Sequence, residues 1–258
     1  VIDGLANLIY QDHKSSDFGI YIKYPFNLVH PVPDLEPTHI KGRNGDFLQD
    51  DGSYQNVTEA FDILIYRPLY YQNQGDWDRA VTSWLEPKFD QEGRRKYEWL
   101  KFDYDPEYIF SATTQTPRTV TWDDTGGYSG TGSIPFYCEP YQYQIGGITY
   151  QDLPANGVVY NTENYSTNPD WHFIANGTFV LNVNGLSYEF DNMNGEFWVS
   201  GSTSDTYDAN NNLFNSQTKF PNLTAPTLYP GTNDISITAS EGTTIQKAEL
   251  KPLWRRLI

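Results

Sequence analysis

Phe179-Val-Leu-Asn-Val183, Asn184-Gly185 and Leu186-Ser-Tyr-Glu-Phe190 form the stretch that decides the fold. Apolar and aromatic residues alternate with polar ones on both sides of an Asn-Gly pair. That alternation places one face of a strand in a core. Asn-Gly takes the positive φ angles of a two-residue hairpin turn. A second pair, Asn194-Gly195, is expected to turn the chain again before Glu196–Gly201. The β pattern runs from Trp171 onward, with turns about every 8 to 12 residues, as in a β-sandwich. Asp208-Ala-Asn-Asn-Asn212 predicts a further turn, and Ile235–Ala239 and Ala248–Leu250 the last strands.

Upstream the pattern is also β. Leu5–Tyr10 and Phe18–Tyr24 predict a hairpin or two short strands. Pro25, Pro31, Pro33 and Pro37 then impose an extended path. Gly42-Arg43-Asn44-Gly45 predicts a tight turn and Asp50-Asp-Gly-Ser53 a second one. Asn56–Arg67 holds the apolar run Ile63-Leu-Ile-Tyr66 and predicts a buried strand. One helix is expected over Asp76–Leu85. Trp77, Ala80, Val81, Trp84 and Leu85 fall on one face, Asp76 and Asp78 suit the start, and Pro87 stops it. Strands follow at Trp99–Tyr104 and Glu107–Thr113, around a turn at Asp105-Pro106. Thr119–Trp122 and Ser133–Tyr137 predict two more, joined by a flexible, projecting loop at Thr125–Gly132. The fold class is mainly β, with two sandwich-like domains and one short helix in the first. The polar, Asn-rich stretch Gly146–Pro169 holds the boundary. The expected divisions are 1–144, 145–245 and a basic tail, 246–258.

The chain of 258 residues carries 33 acidic against 17 basic residues, a net charge of −16. Residues 1–144 hold 12 Lys and Arg against 22 Asp and Glu. Residues 145–245 hold Lys219 alone against 10 acidic residues, and the tail is net positive. The tail either docks on an acidic surface, its own first domain or a neighbour, or stands in solvent. An acidic body argues against wrapping nucleic acid, where phosphate neutralisation supplies most of the affinity. One cysteine, Cys138, excludes a disulfide within the chain. With the scattered His13, His30, His39 and His172 it makes no zinc pattern, so no metal and no cofactor is expected. No apolar run is long enough for a membrane helix. No signal peptide is visible, and the absent initiator Met suggests processing or trimming. The sequons at Asn56, Asn164, Asn176 and Asn222 read as chance in an Asn- and Thr-rich chain.

No catalytic motif emerges. Asp50/Asp51, Asp103/Asp105 and Asp123/Asp124 are the carboxylate pairs a glycosidase would need, but turn residues surround them. No nucleophile signature and no phosphate loop occurs. Asp208–Asn212 lacks the glycine and distal Glu of a calcium loop. The chain is therefore expected not to be an enzyme. A carbohydrate-binding module acting in cell-surface adhesion is the competing class. Trp171, Trp198 and Tyr207, with Tyr229, either stack sugar rings or fill the sandwich core.

Several segments, taken in order, carry a family resemblance. They are Gly42-Arg43-Asn44-Gly45, the helix ending in Trp84-Leu85, Ile134-Pro-Phe-Tyr-Cys-Glu-Pro-Tyr141, Asn194–Tyr207, Asn215, Phe220-Pro-Asn-Leu223, Pro230-Gly-Thr-Asn233 and Lys251-Pro-Leu-Trp-Arg-Arg-Leu257. In this order they resemble the distal tail proteins of long, non-contractile-tailed bacteriophages. Asn44 stands where that family's turn has Asp, and Thr224–Thr227 is an insert. The resemblance implies a ring-forming N-terminal β domain and a galectin-like, jelly-roll C-terminal sandwich. It implies a structural role at the tail tip of a virion, in a protein made in the host cytoplasm. The implied partners are five further copies in a homohexamer, the tail-tube protein, the tail-associated lysin or hub protein, and receptor-binding proteins. DNA would pass through the ring without specific binding. Gly42, Arg43, Asn44 and Gly45 are then the candidate oligomer contacts, and Trp171, Trp198 and Tyr207 the candidate carbohydrate contacts.

Overall fold

The structure, a computed structural model, describes residues 4–90, 93–115 and 117–258, without the side chains of Asp50 and Asp51. By its contacts the chain divides into two units, Val1–Gln142 with Leu257–Ile258, and Tyr143–Arg256.

The first unit is a curled antiparallel sheet. Its path runs Leu5–Ala6, Ile20–Lys23, Val57–Tyr66, Ser129–Gln144, Asp105–Thr113, Glu98–Phe102, Leu8–Tyr10 and His13–Lys14. Leu5–Ala6 at one end and Leu8–Tyr10 near the other are separated only by Asn7, so the sheet curls back on itself. Core positions alternate along Val57–Tyr66, where Val57, Glu59, Phe61, Ile63 and Ile65 are buried. The helix spans Gln74–Leu85, starting two residues before the expected Asp76 because Asn73 caps it by accepting the Asp76 N–H at 3.0 Å. It buries Trp77, Val81, Trp84 and Leu85. Trp84 stacks on Phe18 at 4.5 Å, and both indole N–H groups donate to main-chain oxygens, Trp77 to Phe18 and Trp84 to Tyr10.

Three local expectations change. Asp105 and Pro106 lie inside the strand Asp105–Thr113, and Asp103-Tyr104 makes the turn. Asp50–Ser53 belongs to the strand Phe47–Tyr54, where Gly52 at φ 77° sits in a register irregularity against Pro33–Leu35. Gly130 and Gly132 lie within the strand Ser129–Gln144 rather than in a projecting loop. A Cβ on Gly132 would stand 2.0 Å from the Thr119 carbonyl oxygen, so the glycine serves close strand approach. The remaining turn is pinned. Arg67 Nε donates to the Gly127 carbonyl at 2.7 Å, and its guanidinium lies over the Tyr128 ring.

The second unit is built on one long hairpin, Asp170–Val183 and Leu186–Val199, turned by Asn184 (φ 51°) and Gly185 (φ 82°). The first of these strands pairs with two others along its length. Asp170–Asn176 pairs with Thr244–Lys251, and Phe179–Val183 pairs with Gly231–Ala239. The bend between them is a bulge at Gly177–Phe179. Gly177 has φ 115°, and a Cβ there would lie 2.5 Å from Thr243 Oγ1. Asn194-Gly195, expected as a turn, is paired strand opposite Ala175 and Asn176. The core is aromatic: Trp171, Phe173, Phe179, Phe190 and Phe197 are fully buried, and Phe179 stacks on Phe190 at 4.8 Å. Each such side chain contributes about 1.5 to 3 kcal/mol of burial. Near the end of the chain, Leu253 N–H donates to Gly147 O within this unit. Ile258 joins the first unit's core and donates its N–H to Pro140 O.

Candidate functional site

Pro33–Thr38 and Phe47–Tyr54 form a separate two-stranded ribbon, paired with no other described strand. Residues 32–49 are all exposed. They include apolar side chains that water does not favour, among them Val32 at 62% and Leu48 at 58%, with Ile40 and Phe47. A lone hairpin is marginal in water, and its free edges are templates for pairing. Gly42, Arg43, Asn44 and Gly45 occupy the tip, as the turn chemistry predicts, with Gly42 and Gly45 at positive φ. Lys41 and Arg43 make that tip locally basic, while His39 and Asp46 meet across its base at 3.1 Å.

The ribbon's entry is tied to the sheet by a buried carboxyl. Val29 N–H donates to both Glu59 oxygens, at 2.9 and 3.2 Å. Glu59 is 1% exposed, and burial raises its pKa to about 7 against the opposing pull of the Val29 bond and of His30. His30 Nδ1 lies 2.8 Å from Ile258 O. Gln55 N–H donates to Val32 O, closing the ribbon's base. Sequence reasoning missed Glu59. The signal was present, because Glu59 falls on the core phase of Val57, Phe61, Ile63 and Ile65.

In the second unit Trp171 is fully buried. Trp198 and Tyr207 are half-buried on the opposite face of the sheet. Trp198 stands between His172, stacked at 4.8 Å, and Tyr207 at 6.2 Å, an aromatic ladder across three paired strands. His172 was not singled out. Its Nδ1 meets Glu249 at 2.7 Å and its Nε2 meets Glu196 at 2.9 Å. The bond to His172, then that to Lys247, holds the Glu249 carboxyl below its usual range. These bonds and stacks brace the outer face of the sheet.

Asp103, Asp105 and Asp124 each accept main-chain N–H bonds. Asp103 accepts from the Asn7 main chain and side chain. Asp105 accepts from the Glu107 and Tyr108 N–H groups. Asp124 accepts from Ser129 and Tyr128, bonds that hold its pKa down. The Asp50 and Asp51 side chains lie outside the described residues. No cluster of three His, Cys, Asp or Glu suited to a metal occurs among the described residues, and no described helix is long and apolar enough to cross a membrane.

No protein-family model matches the sequence, and no curated protein matches it. Solved structures do match. The crystal structure of the Dit protein (gp 19.1) of SPP1, described as a paradigm of the hub adsorption apparatus in phages infecting Gram-positive bacteria, aligns with a TM-score of 0.64 at 16% identity. The alignment covers 98% of this chain and 99% of that one. The chain has the fold of a phage distal tail protein. The phage P2 baseplate in its activated conformation with Ca aligns at a TM-score of 0.44 and 11% identity, over 95% of this chain and 96% of that one. In this distal tail fold the Gly42–Gly45 turn crowns the exposed ribbon, and Trp171 belongs to the sandwich core.

Proposed function

We propose that the chain is a structural hub protein of the tip of a long, non-contractile phage tail. The observation that carries this reading is the end-to-end match to the SPP1 hub protein, which spans both units rather than one common sandwich. In the proposed role the N-terminal domain, residues 1–144, closes a homohexameric ring. One face of the ring meets the tail-tube protein and the other the tail-associated lysin or hub protein. The C-terminal domain, 145–245, carries receptor-binding proteins, and DNA passes through the ring unbound. The site of action is the virion's tail tip, after synthesis in the host cytoplasm.

The ribbon supports a ring on physical grounds. Its exposed apolar side chains and open edges call for a covering surface. A basic tip on a chain of net charge −16 finds complementary charge on another copy. Head-to-tail contacts of this kind close into a ring when the rotation between neighbouring copies closes.

Light scattering across protein concentration and salt tests the reading. The intact chain should reach six times the mass of one subunit, and a variant with residues 34–53 replaced by a short linker should remain single. A single-subunit mass for the intact chain at every concentration overturns the ring. Six-fold mass in both proteins keeps the ring and removes the ribbon from its contacts.

A further inference from the structure

The chain contains five Asn-Gly pairs, at Asn44, Asn156, Asn176, Asn184 and Asn194. Asn-Gly is the dipeptide most open to attack by the following main-chain nitrogen on the side-chain amide, because glycine offers no side chain to obstruct it. The attack needs a free Asn side chain, a free N–H on the glycine, and a backbone able to bring them together.

Four pairs are locked. Asn156 Oδ1 accepts the Val158 N–H at 3.1 Å, and Gly157 N–H already donates to Pro154 O at 2.9 Å. Asn176 Oδ1 accepts the Gly195 N–H at 3.1 Å, which engages the side chain of one pair and the nucleophile of another. Both of those pairs also lie in paired strands. Asn184 Nδ2 donates to Asn233 Oδ1 at 2.8 Å, and its Oδ1 accepts the Asp234 N–H at 3.0 Å.

Asn44-Gly45 differs on every count. Both residues are exposed at the ribbon tip, and neither makes a hydrogen bond to a described residue. Space around Gly45 is open: a Cβ there would have no neighbour within 4 Å.

We propose that Asn44 is a spontaneous modification site, the one Asn-Gly pair of the folded chain that deamidates at the rate of an unfolded peptide. The Gly45 nitrogen loses its proton to hydroxide and bonds to Asn44 Cγ. The Cγ–Nδ2 bond breaks and ammonia leaves. Water then opens the cyclic imide at either carbonyl, leaving aspartate or isoaspartate at position 44. Either product adds a negative charge between Lys41 and Asp46. The chemistry is that of the single subunit, whose tip stands in solvent, and it is measured at a dilution where light scattering gives a one-subunit mass. Where the ring reading holds, a neighbour covering the tip slows it.

The test is peptide mass spectrometry on the full chain held at pH 8, beside the same chain in concentrated urea. In urea all five pairs should convert at similar rates. In the folded chain Asn44 should keep its urea rate. The other four should slow about fivefold or more, since each hydrogen bond that must break contributes about 1 kcal/mol and every 1.4 kcal/mol is tenfold. Asn44 slowed as much as the other four, or overtaken by any of them, overturns the assignment. A Gly45→Ala variant should suppress conversion at position 44 in urea and in the folded state alike. Persistence of the same conversion in that variant also refutes the mechanism. The mass measurement reports separately on the ring.

Discussion

Raising the pH from about 5 to 8 should weaken the first unit through one side chain, Glu59. Its carboxyl is buried at 1% exposure and meets a single main-chain donor, the Val29 N–H. Burial raises its pKa from 4.5 to about 7. The folded state therefore keeps a proton that the unfolded chain releases, so stability falls as pH rises between those two values. The contribution is intact below about pH 4.5, declines through the window, and is fully lost above about pH 7, for a total of about 3 kcal/mol. Glu59→Gln keeps a neutral group of nearly the same shape at every pH. The stability of the variant minus that of the wild type should grow by about 3 kcal/mol across the window. Urea unfolding at a series of pH values measures that difference. Hydrogen exchange at the Val29 amide localises it to the first unit. A difference that stays constant from pH 4.5 to 8 refutes the reasoning, because it would mean that Glu59 ionises in the folded state as readily as in the unfolded one.

Two further outcomes follow from burial. Phe179→Ala removes a fully buried ring that contacts Phe173 and Phe190 at the bend of the second unit; it should cost about 3 to 5 kcal/mol, read as a lower urea midpoint of that unit's transition with the first unit's unchanged. Cys138 is fully buried, and burial, reinforced by the Glu59 charge, pushes its thiol pKa up; a thiol reagent at pH 8 should label it only on unfolding, and labelling of the native chain at the rate of a free thiol would contradict the packing.

The two kinds of Asn-Gly pair show where local reading stops. Asn184-Gly185 turns its hairpin because the turn geometry is local and both flanking strands agree with it. Asn194-Gly195 carries the same dipeptide yet runs through a strand, because the ladder from Asn176 engages it. Gly130 and Gly132 misled in the same way. Flexibility was the local signal, and close approach of the Thr119–Trp122 strand was the use.

The sequence by itself determined the mainly β character, the helix face from Trp77 to Leu85, the tip at Gly42–Gly45 and the hairpin at Asn184-Gly185. Each depends on propensity and periodicity within a short window. Only the tertiary structure decided that Glu59 sits under the entry to the ribbon, that Trp171 is core while Trp198 stands in a ladder, and that Asn44 alone among five Asn-Gly pairs is unrestrained. Those outcomes depend on which distant strand or side chain arrives beside a residue. Burial and hydrogen bonding are properties of that neighbour as much as of the residue itself.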